Sequence, residues 1–260
     1  MENSCKENLK QSSKKWVIAS LYPKFRRNLC LRSTNADLYH YAGNNPVRYI
    51  DPDGLYDTLS EEGKNFIKAF EGFSETIYDA KNPNHKYTKG ETRATGDWTI
   101  GYGHQLTENE LSTGVYNDGI TEEEASALFD IDSRRMVEAV NNSVMHSNKL
   151  SQNQLDALVS FSYSVGENGF KKSKIKKMLD SNGYVISMAG VVNSDGFKQR
   201  VSDAFRWYFP PASNHLHTGL KKRRYNEIQM FLYSDYTIDD MPSYIVPRWP
   251  IGTIIKKGEQ

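Results

Sequence analysis

Residues 97–104 read Asp97-Trp98-Thr99-Ile100-Gly101-Tyr102-Gly103-His104, and a stretch ahead of them reads Phe70-Glu71-Gly72-Phe73. Trp98, Ile100 and Tyr102 alternate with small or polar residues, a period of two that predicts a β-strand. The two glycines let another group approach the backbone closely. A strand that ends in a glycine-rich turn is the ordinary explanation of such a pattern. The carboxylate of Glu71 and the hydroxyl of Thr99 add the chemistry of a candidate site.

The stretch that carries Glu71 predicts an amphipathic helix over residues 59–71. Residues 58–61 have the pattern of a capping box, and an apolar stripe that includes Phe66 and Phe70 follows at helical spacing. Glu71 falls at the rim of this stripe and close to the helix C-terminus. Partial burial and the helix dipole both disfavour a negative charge there, which is the environment that a general acid needs.

The composition describes a globular chain without a strong charge bias. Its 260 residues are 38% hydrophobic, and the formal net charge of +1 gives no reason to propose a nucleic-acid partner. Cys5 and Cys30 both lie near the start and lack metal-ligand spacing, so we expect neither a disulfide framework for the rest of the chain nor a metal. Residues 16–22 form an apolar run too short for a secretory signal or a membrane span. We therefore expect no cofactor, no membrane insertion and synthesis in the cytoplasm without a clear signal peptide.

The rest of the chain predicts helices, so the expected fold class is α+β, mainly α. Residues 75–79 and 98–104 are the predicted strands. Capping boxes at Thr121 and Ser151 begin two helices, and Gly166 ends the second. Four further helical segments are predicted over residues 173–179, 184–192, 197–208 and 220–233.

Several motifs occur in a fixed order: Glu71-Gly72-Phe73, Tyr78-Asp79, the run from Thr99 to His104, residues 150–161, Val165-Gly166 and residues 219–227. Together they resemble the phage-type lysozyme family, glycoside hydrolase family 24. The resemblance implies a lysozyme-like catalytic domain over residues 56–233, with a small β-hairpin lobe and a helical lobe flanking a cleft. It implies hydrolysis of the β-1,4 bond between N-acetylmuramic acid and N-acetylglucosamine in peptidoglycan, with inversion of configuration.

The resemblance also assigns catalytic roles. Glu71 would protonate the leaving oxygen, while Thr99 and an aspartate would hold the attacking water. Counted from Glu71, the family's aspartate falls on Ala80, and a shift of one residue in a strand turns a side chain to the other face. Asp79 is the preferred second carboxylate if a bulge or turn there restores its direction. Asp97, on the same strand face as Thr99, is the alternative, and a site without a second carboxylate is the third.

Other assignments concern the walls of the expected site. Tyr102 and His104 are the candidate substrate-binding residues, and in the resembling family this histidine supports the hairpin rather than transferring protons. Arg223 or Arg224 could pair with Glu71 and hold its orientation. If Ala80 marks a lost carboxylate, the chain would be a catalytically inactive cell-wall-binding module. A chitin-directed glycosidase is a further alternative.

The start of the chain carries a second resemblance. Asn44-Asn45-Pro46 and Asp51-Pro52-Asp53-Gly54-Leu55 are turn signals around a short strand-like segment. They resemble the end of the Rhs repeat-associated core, which precedes a variable C-terminal toxin. Residues 1–38 show no steady period, so we expect a poorly ordered lead over residues 1–55. The resemblance implies that an antibacterial effector follows it and acts on the cell wall after export or delivery to a target periplasm. An immunity protein is implied by analogy. Residues 234–260 form a tail with no match to the family.

Overall fold

The computed structural model describes residues 58–145, 147, 150–180, 195–206 and 218–240. The Rhs-like lead, the helix expected at residues 184–192 and the tail beyond residue 240 lie outside these residues. The described chain divides into two compact units. Unit 1 contains Phe73–Leu128, and unit 2 contains residues 58–72 together with the described residues from Phe129 onward.

The described elements confirm the expected fold class, mainly helical with one small antiparallel sheet. In chain order they are α1 (Glu61–Glu71), β1 (Ser74–Asp79), β2 (Trp98–Gly101), β3 (His104–Gln105), α2 (Glu108–Thr113), α3 (Glu122–Ser143), α4 (Gln152–Lys172), α5 (Lys174–Asp180), α6 (Asp195–Arg206) and α7 (Thr218–Tyr233).

The sheet of unit 1 has the order β1-β2-β3. The register pairs Ser74 with Gly101 and Tyr78 with Thr99, so β1 carries two extra residues between these pairs. The bulge in this strand therefore lies ahead of Asp79, while a turn begins at Asp79, whose Oδ1 accepts the Lys81 and Asn82 N–H groups. The single strand expected over residues 98–104 is wrong, because positive φ angles of 64° at Gly101 and 85° at Gly103 turn the chain back on itself.

Helix α1 ends as the sequence predicts, but it begins at Glu61, two residues later than expected, with Ser60 rather than Thr58 as its N-cap. The hydroxyl of Ser60 accepts the Gly63 N–H at 2.9 Å and caps the first turn. Phe66 and Ile67 are buried, which contributes about 1.5–3 kcal/mol for each side chain. Gly72 follows with a φ of 70°, which ends the helix directly after Glu71.

The core of unit 2 lies between α4, α6 and α7. Three phenylalanines, one from each helix, form a chain of edge contacts: Phe161 to Phe205 at 5.5 Å and Phe205 to Phe231 at 5.7 Å between ring centroids. Gly166 has a φ of 75° and ends the first helical stretch of α4 as predicted; a second helical stretch follows directly, so the two are joined across a kink. No helix in the described ranges is long and apolar enough to cross a membrane.

Candidate active site

Glu71 lies at the last position of α1, and its carboxylate contacts a buried arginine of α7. The Arg223 guanidinium donates to Glu71 Oε1 at 2.5 Å, and the Glu71 side chain is 21% exposed. Of the two arginines that the sequence offered, Arg223 is therefore the partner. Its guanidinium also lies 5.6 Å from the centre of the Phe70 ring, which precedes Glu71.

Arg223 is itself held from three directions. It donates to Glu227 Oε1 at 3.2 Å and to the Ser160 carbonyl at 3.1 Å, in addition to Glu71. Burial opposes its charge, but the nearby carboxylates of Glu71 and Glu227 outweigh burial and raise the pKa of Arg223. The planar fork of a guanidinium suits several acceptors at once, so this residue can fix the direction of the Glu71 side chain.

Arg224 contacts a different set of groups, in the interior of unit 2. It is fully buried, donates to Ser164 Oγ at 2.8 Å, and its guanidinium stacks 4.5 Å from the Phe161 ring centre. An ion pair of 3.0 Å joins it to Glu227 Oε2. Burial raises the pKa of Glu227, although the positive charges of Arg224 and Arg223 act to lower it. The sequence analysis missed Glu227 as a site residue, although its spacing of four from Arg223 was a signal for such a pair.

Asp79 closes strand β1 and organises the loop that follows. Its Oδ1 accepts the N–H groups of Lys81 at 2.9 Å, Asn82 at 3.3 Å and Asp97 at 3.2 Å. Its Oδ2 lies 2.8 Å from His85 Nδ1. These bonds, that of His85 first, lower the pKa of Asp79 from 3.8 to about 2. The side chain is 4% exposed, so the carboxylate is ionised, buried and already supplied with donors.

Asp97 and Thr99 lie on the strand opposite. The Asp97 side chain is 20% exposed, and its Oδ2 lies 3.3 Å from the exposed Lys81 ammonium. Its Oδ1 accepts a hydrogen bond from Gln105. The buried Thr99 hydroxyl donates to the Asp97 carbonyl at 3.0 Å. The register pairs Asp79 with Trp98 and Tyr78 with Thr99, so the side chains of Asp79 and Thr99 lie on opposite faces of the sheet. Asp97, directly ahead of β2, is the more exposed of the two carboxylates.

Tyr102 and His104 are both buried in the wall of unit 1. The Tyr102 hydroxyl donates to Glu122 Oε1 at 2.7 Å, and burial first, then this bond, raises its pKa to about 12. The exposed Phe73 ring lies 5.7 Å from the Tyr102 ring. His104 Nε2 lies 3.2 Å from Glu110 Oε1, which ties the sheet to helix α2. Direct contact of either residue with a substrate stays a prediction.

Among the described residues, no cluster of three or more histidine, cysteine, aspartate or glutamate side chains could hold a metal ion. The polar groups described above fix the Glu71 side chain through Arg223 and hold the β1–β2 loop through Asp79. The roles given to Glu71, Asp79 and Thr99 stay predictions, as does their joint action.

Comparison with known proteins decides the family. The model of the family described as phage lysozyme matches residues 68–227, which is more than half of the chain. This chain belongs to the phage lysozyme family. The matched range contains Glu71, the whole sheet and Arg223, so every site residue predicted from the sequence lies inside it.

Individual relatives agree with this assignment. An endolysin of Bacillus phage B103 is 30% identical over 174 residues, which are 67% of this chain and 54% of the relative. An endolysin of Bacillus phage PZA is 33% identical over 131 residues, 50% of this chain and 44% of the relative. The chain thus spans about half the length of these two endolysins. The solved endolysin from Escherichia coli O157:H7 phage FAHEc1 has a TM-score of 0.50 at 27% identity, covering 69% of this chain and 96% of that one.

Proposed function

We propose that this protein is a peptidoglycan hydrolase, a muramidase that cleaves the β-1,4 bond between N-acetylmuramic acid and N-acetylglucosamine. The observation that carries the proposal is the Glu71 carboxyl at the end of α1, held at 2.5 Å by the buried Arg223. Family membership and the endolysin relatives support the same activity. Peptidoglycan is then the partner on which the protein acts.

Glu71 is the general acid in this proposal. Arg223 occupies Oε1, so we assign the transferred proton to Oε2, which then protonates the glycosidic oxygen as the bond to the sugar breaks. Water attacks the opposite face of the sugar and inverts its configuration. A guanidinium next to the carboxyl also stabilises the carboxylate that remains after the proton has left.

Thr99 and a carboxylate of the sheet position the attacking water. Asp79 is the carboxylate that the sequence prefers, and its role requires water to replace one of its four donors and to be shared with Thr99 across opposite faces of the sheet. Asp97 is the alternative, since its side chain is the more exposed. An aspartate at either position would draw the proton from the water as it attacks.

The decisive experiment follows the turbidity of purified peptidoglycan with the wild type and Glu71→Gln. We expect the wild type to clear the suspension and Glu71→Gln to lose about 10²–10⁴-fold in rate, the range that general acid catalysis contributes. Glu62→Gln, an exposed glutamate in the first turn of the same helix, is the matched control and should retain activity. Binding of peptidoglycan by the wild type without clearing would favour the inactive cell-wall-binding module.

Two further measurements sharpen the proposal. Proton NMR of freshly released muropeptide ends should show the α-anomer first if the β-bond is cleaved with inversion, and the β-anomer first would contradict that mechanism. Chitin oligomers assayed beside muropeptides test the chitin-directed alternative. Faster turnover of chitin oligomers than of muropeptides would reassign the substrate.

An effector role accounts for the Rhs-like motif at residues 44–55. In this proposal the lysozyme domain is the toxin, it acts in the periplasm of a target bacterium, and an immunity protein protects the producer. Wild type directed to the periplasm of a Gram-negative host should arrest growth, and Glu71→Gln in the same vector should not. Growth arrest by both proteins, or by neither, would contradict the proposed toxicity.

A further inference from the structure

The segment that follows α7 lies beyond the range matched by the family model, yet it is fixed to the body of unit 2. Helix α7 ends at Tyr233, and Ser234 adopts a left-handed φ of 56°, which turns the chain back. The buried Asn226 then makes two reciprocal bonds with Asp239, at 2.9 Å to its carbonyl and 3.1 Å from its N–H. We call residues 234–239 the clasp.

Tyr236 of the clasp reaches a buried carboxylate. Its hydroxyl donates to Asp156 Oδ2 at 2.7 Å, and Asp156 is fully buried. The same carboxylate accepts the Ser60 N–H at 3.1 Å, the Ser60 hydroxyl at 2.5 Å and the Gln152 amide at 2.7 Å. Asp156, on helix α4, therefore joins the clasp to the N-cap residue of the helix that ends in Glu71.

The hydrogen-bond partners and close packing of Asp156 leave its carboxylate little freedom to move. A carboxylate taken out of water needs its full set of hydrogen bonds, because each missing donor leaves a costly unsatisfied charge. Gly63, in the first turn of α1, has no room for a Cβ atom, since Asp156 Cγ would lie 2.8 Å from it. The Asp156 carboxyl group thus packs directly against the backbone of α1 as well as bonding to its cap.

We infer that the clasp positions the catalytic acid: Tyr236, through Asp156 and Ser60, sets the direction of α1 and hence the place of Glu71. Ser60 and Glu71 are separated by about 16 Å along the helix at 1.5 Å per residue, so a tilt of about 4° at the cap displaces Glu71 by about 1 Å. A misplacement of about 1 Å can cost on the order of 100-fold in rate. This inference depends on the proposed function of Glu71.

The test is Tyr236→Phe, which removes one hydroxyl and keeps the ring. We expect kcat on peptidoglycan fragments to fall about tenfold or more while KM stays within about twofold, at a temperature well below the unfolding midpoint. Asp240→Asn is the matched control from the adjoining exposed ion pair with Lys222, and it should behave as the wild type. An unchanged kcat for Tyr236→Phe, with or without a lower Tm, would reduce the clasp to a merely structural role and overturn the inference.

Amide hydrogen exchange gives a second measurement that does not need activity. In Tyr236→Phe the N–H groups of Gly63 and Lys64, which bond to Ser60, should exchange faster than in the wild type. Unchanged exchange there would also overturn the inference. A wild type that lacks turnover altogether would contradict the proposed function itself, so the two failures are distinguishable.

Discussion

At the scale of single residues, Arg223 connects catalysis to stability because it contacts Glu71, Glu227 and Ser160 together. Arg223→Ala would leave the buried Glu227 with one cationic partner fewer. Breaking a buried pair in this way costs about 3–5 kcal/mol, so we expect a large fall in the free energy of unfolding measured in urea. A loss below about 1 kcal/mol would show that the network contributes little.

Arg223→Lys tests the geometry of the same site. An ammonium keeps the charge but lacks the planar fork, so it cannot serve three acceptors in these directions. We expect this variant to fold and to lose about tenfold in kcat, because Glu71 is no longer held in one orientation. Arg134→Lys, on the partly exposed face of α3, is a control for the substitution itself. Full activity of Arg223→Lys would show that charge alone is sufficient.

Asparagine substitutions separate the two sheet carboxylates. If Asp79 is the second carboxylate, Asp79→Asn should abolish turnover and Asp97→Asn should not, measured by clearing of peptidoglycan. Near-ultraviolet circular dichroism must accompany the assay, because Asp79 also holds Lys81, Asn82 and His85 in the loop. Loss of turnover in a folded Asp97→Asn, with activity retained in Asp79→Asn, would transfer the role to Asp97.

The limits of sequence reasoning at this scale have a physical cause. Neighbours on a helix point about 100° apart, so Arg223 and Arg224 could be separated only once the packing of α7 was known. The motif placed Asp79 on a strand but carried no information on the loop that folds back to donate to it. Glu71 needed less context, because the stripe of α1 and its glycine stop already place it.

At the scale of helices and strands, substitution of Gly63 tests whether steric packing or helix propensity decides the stability of α1. Alanine favours a helix over glycine by about 1 kcal/mol, but a Cβ at this position would meet Asp156 Cγ at 2.8 Å and Leu59 at 2.9 Å. We expect Gly63→Ala to lower Tm because the Asp156 carboxyl is fixed by its partners. Gly219→Ala, in the first turn of α7, meets nothing within 4 Å and should raise Tm slightly. Equal effects at both sites would contradict this account.

Elements with explicit start and stop residues were predictable, and those set by tertiary context were less so. Capping pairs marked the starts of α3 and α4, where Thr121 and Ser151 bond to Glu124 and Gln154. The same pattern at Thr107 and Glu110 marks α2, a helix that was not predicted from the sequence. Alternation alone could not show that residues 98–104 are two strands around a turn, because glycine fits both conformations.

At the scale of the whole molecule, acid should weaken unit 1. Hydrogen bonds from His85 and the loop lower the pKa of Asp79 to about 2, as described above. Burial alone would raise the pKa of Glu110, but the hydrogen bond and charge of His104 outweigh it and lower that pKa to about 2. Folded pKa values below the unfolded ones give stability that is present above about pH 4.5 and is lost as the pH falls toward 2.

Unit 2 contains buried carboxyls whose pKa values are shifted in the opposite direction, upward. Burial raises the pKa of Asp156 and of Glu227, so their stabilising effect is full at low pH and is lost as the pH rises through their folded values. Pepsin at about pH 2.5 should therefore cut first within residues 73–128, with fragments identified by mass spectrometry. First cuts in unit 2 would contradict this assignment of the acid-sensitive groups.

The fold class could be predicted because apolar periodicity and the order of the motifs can be read from the sequence without knowledge of contacts. The role of residues 234–239 could not be predicted, since neither periodicity nor family resemblance extends to them. Only the pairing of Tyr236 with a carboxylate 80 positions earlier in the chain reveals what they do. Long-range polar bonds of this kind leave little pattern in a single sequence.

The buried Asp156 has a practical consequence for cloning. An expression fragment trimmed to residues 68–227, the range of the family match, would omit both Ser60 and Tyr236. Its core would then enclose a carboxylate stripped of both hydroxyls, and such a fragment should be recovered as insoluble protein. Useful boundaries therefore include both Ser60 and the clasp.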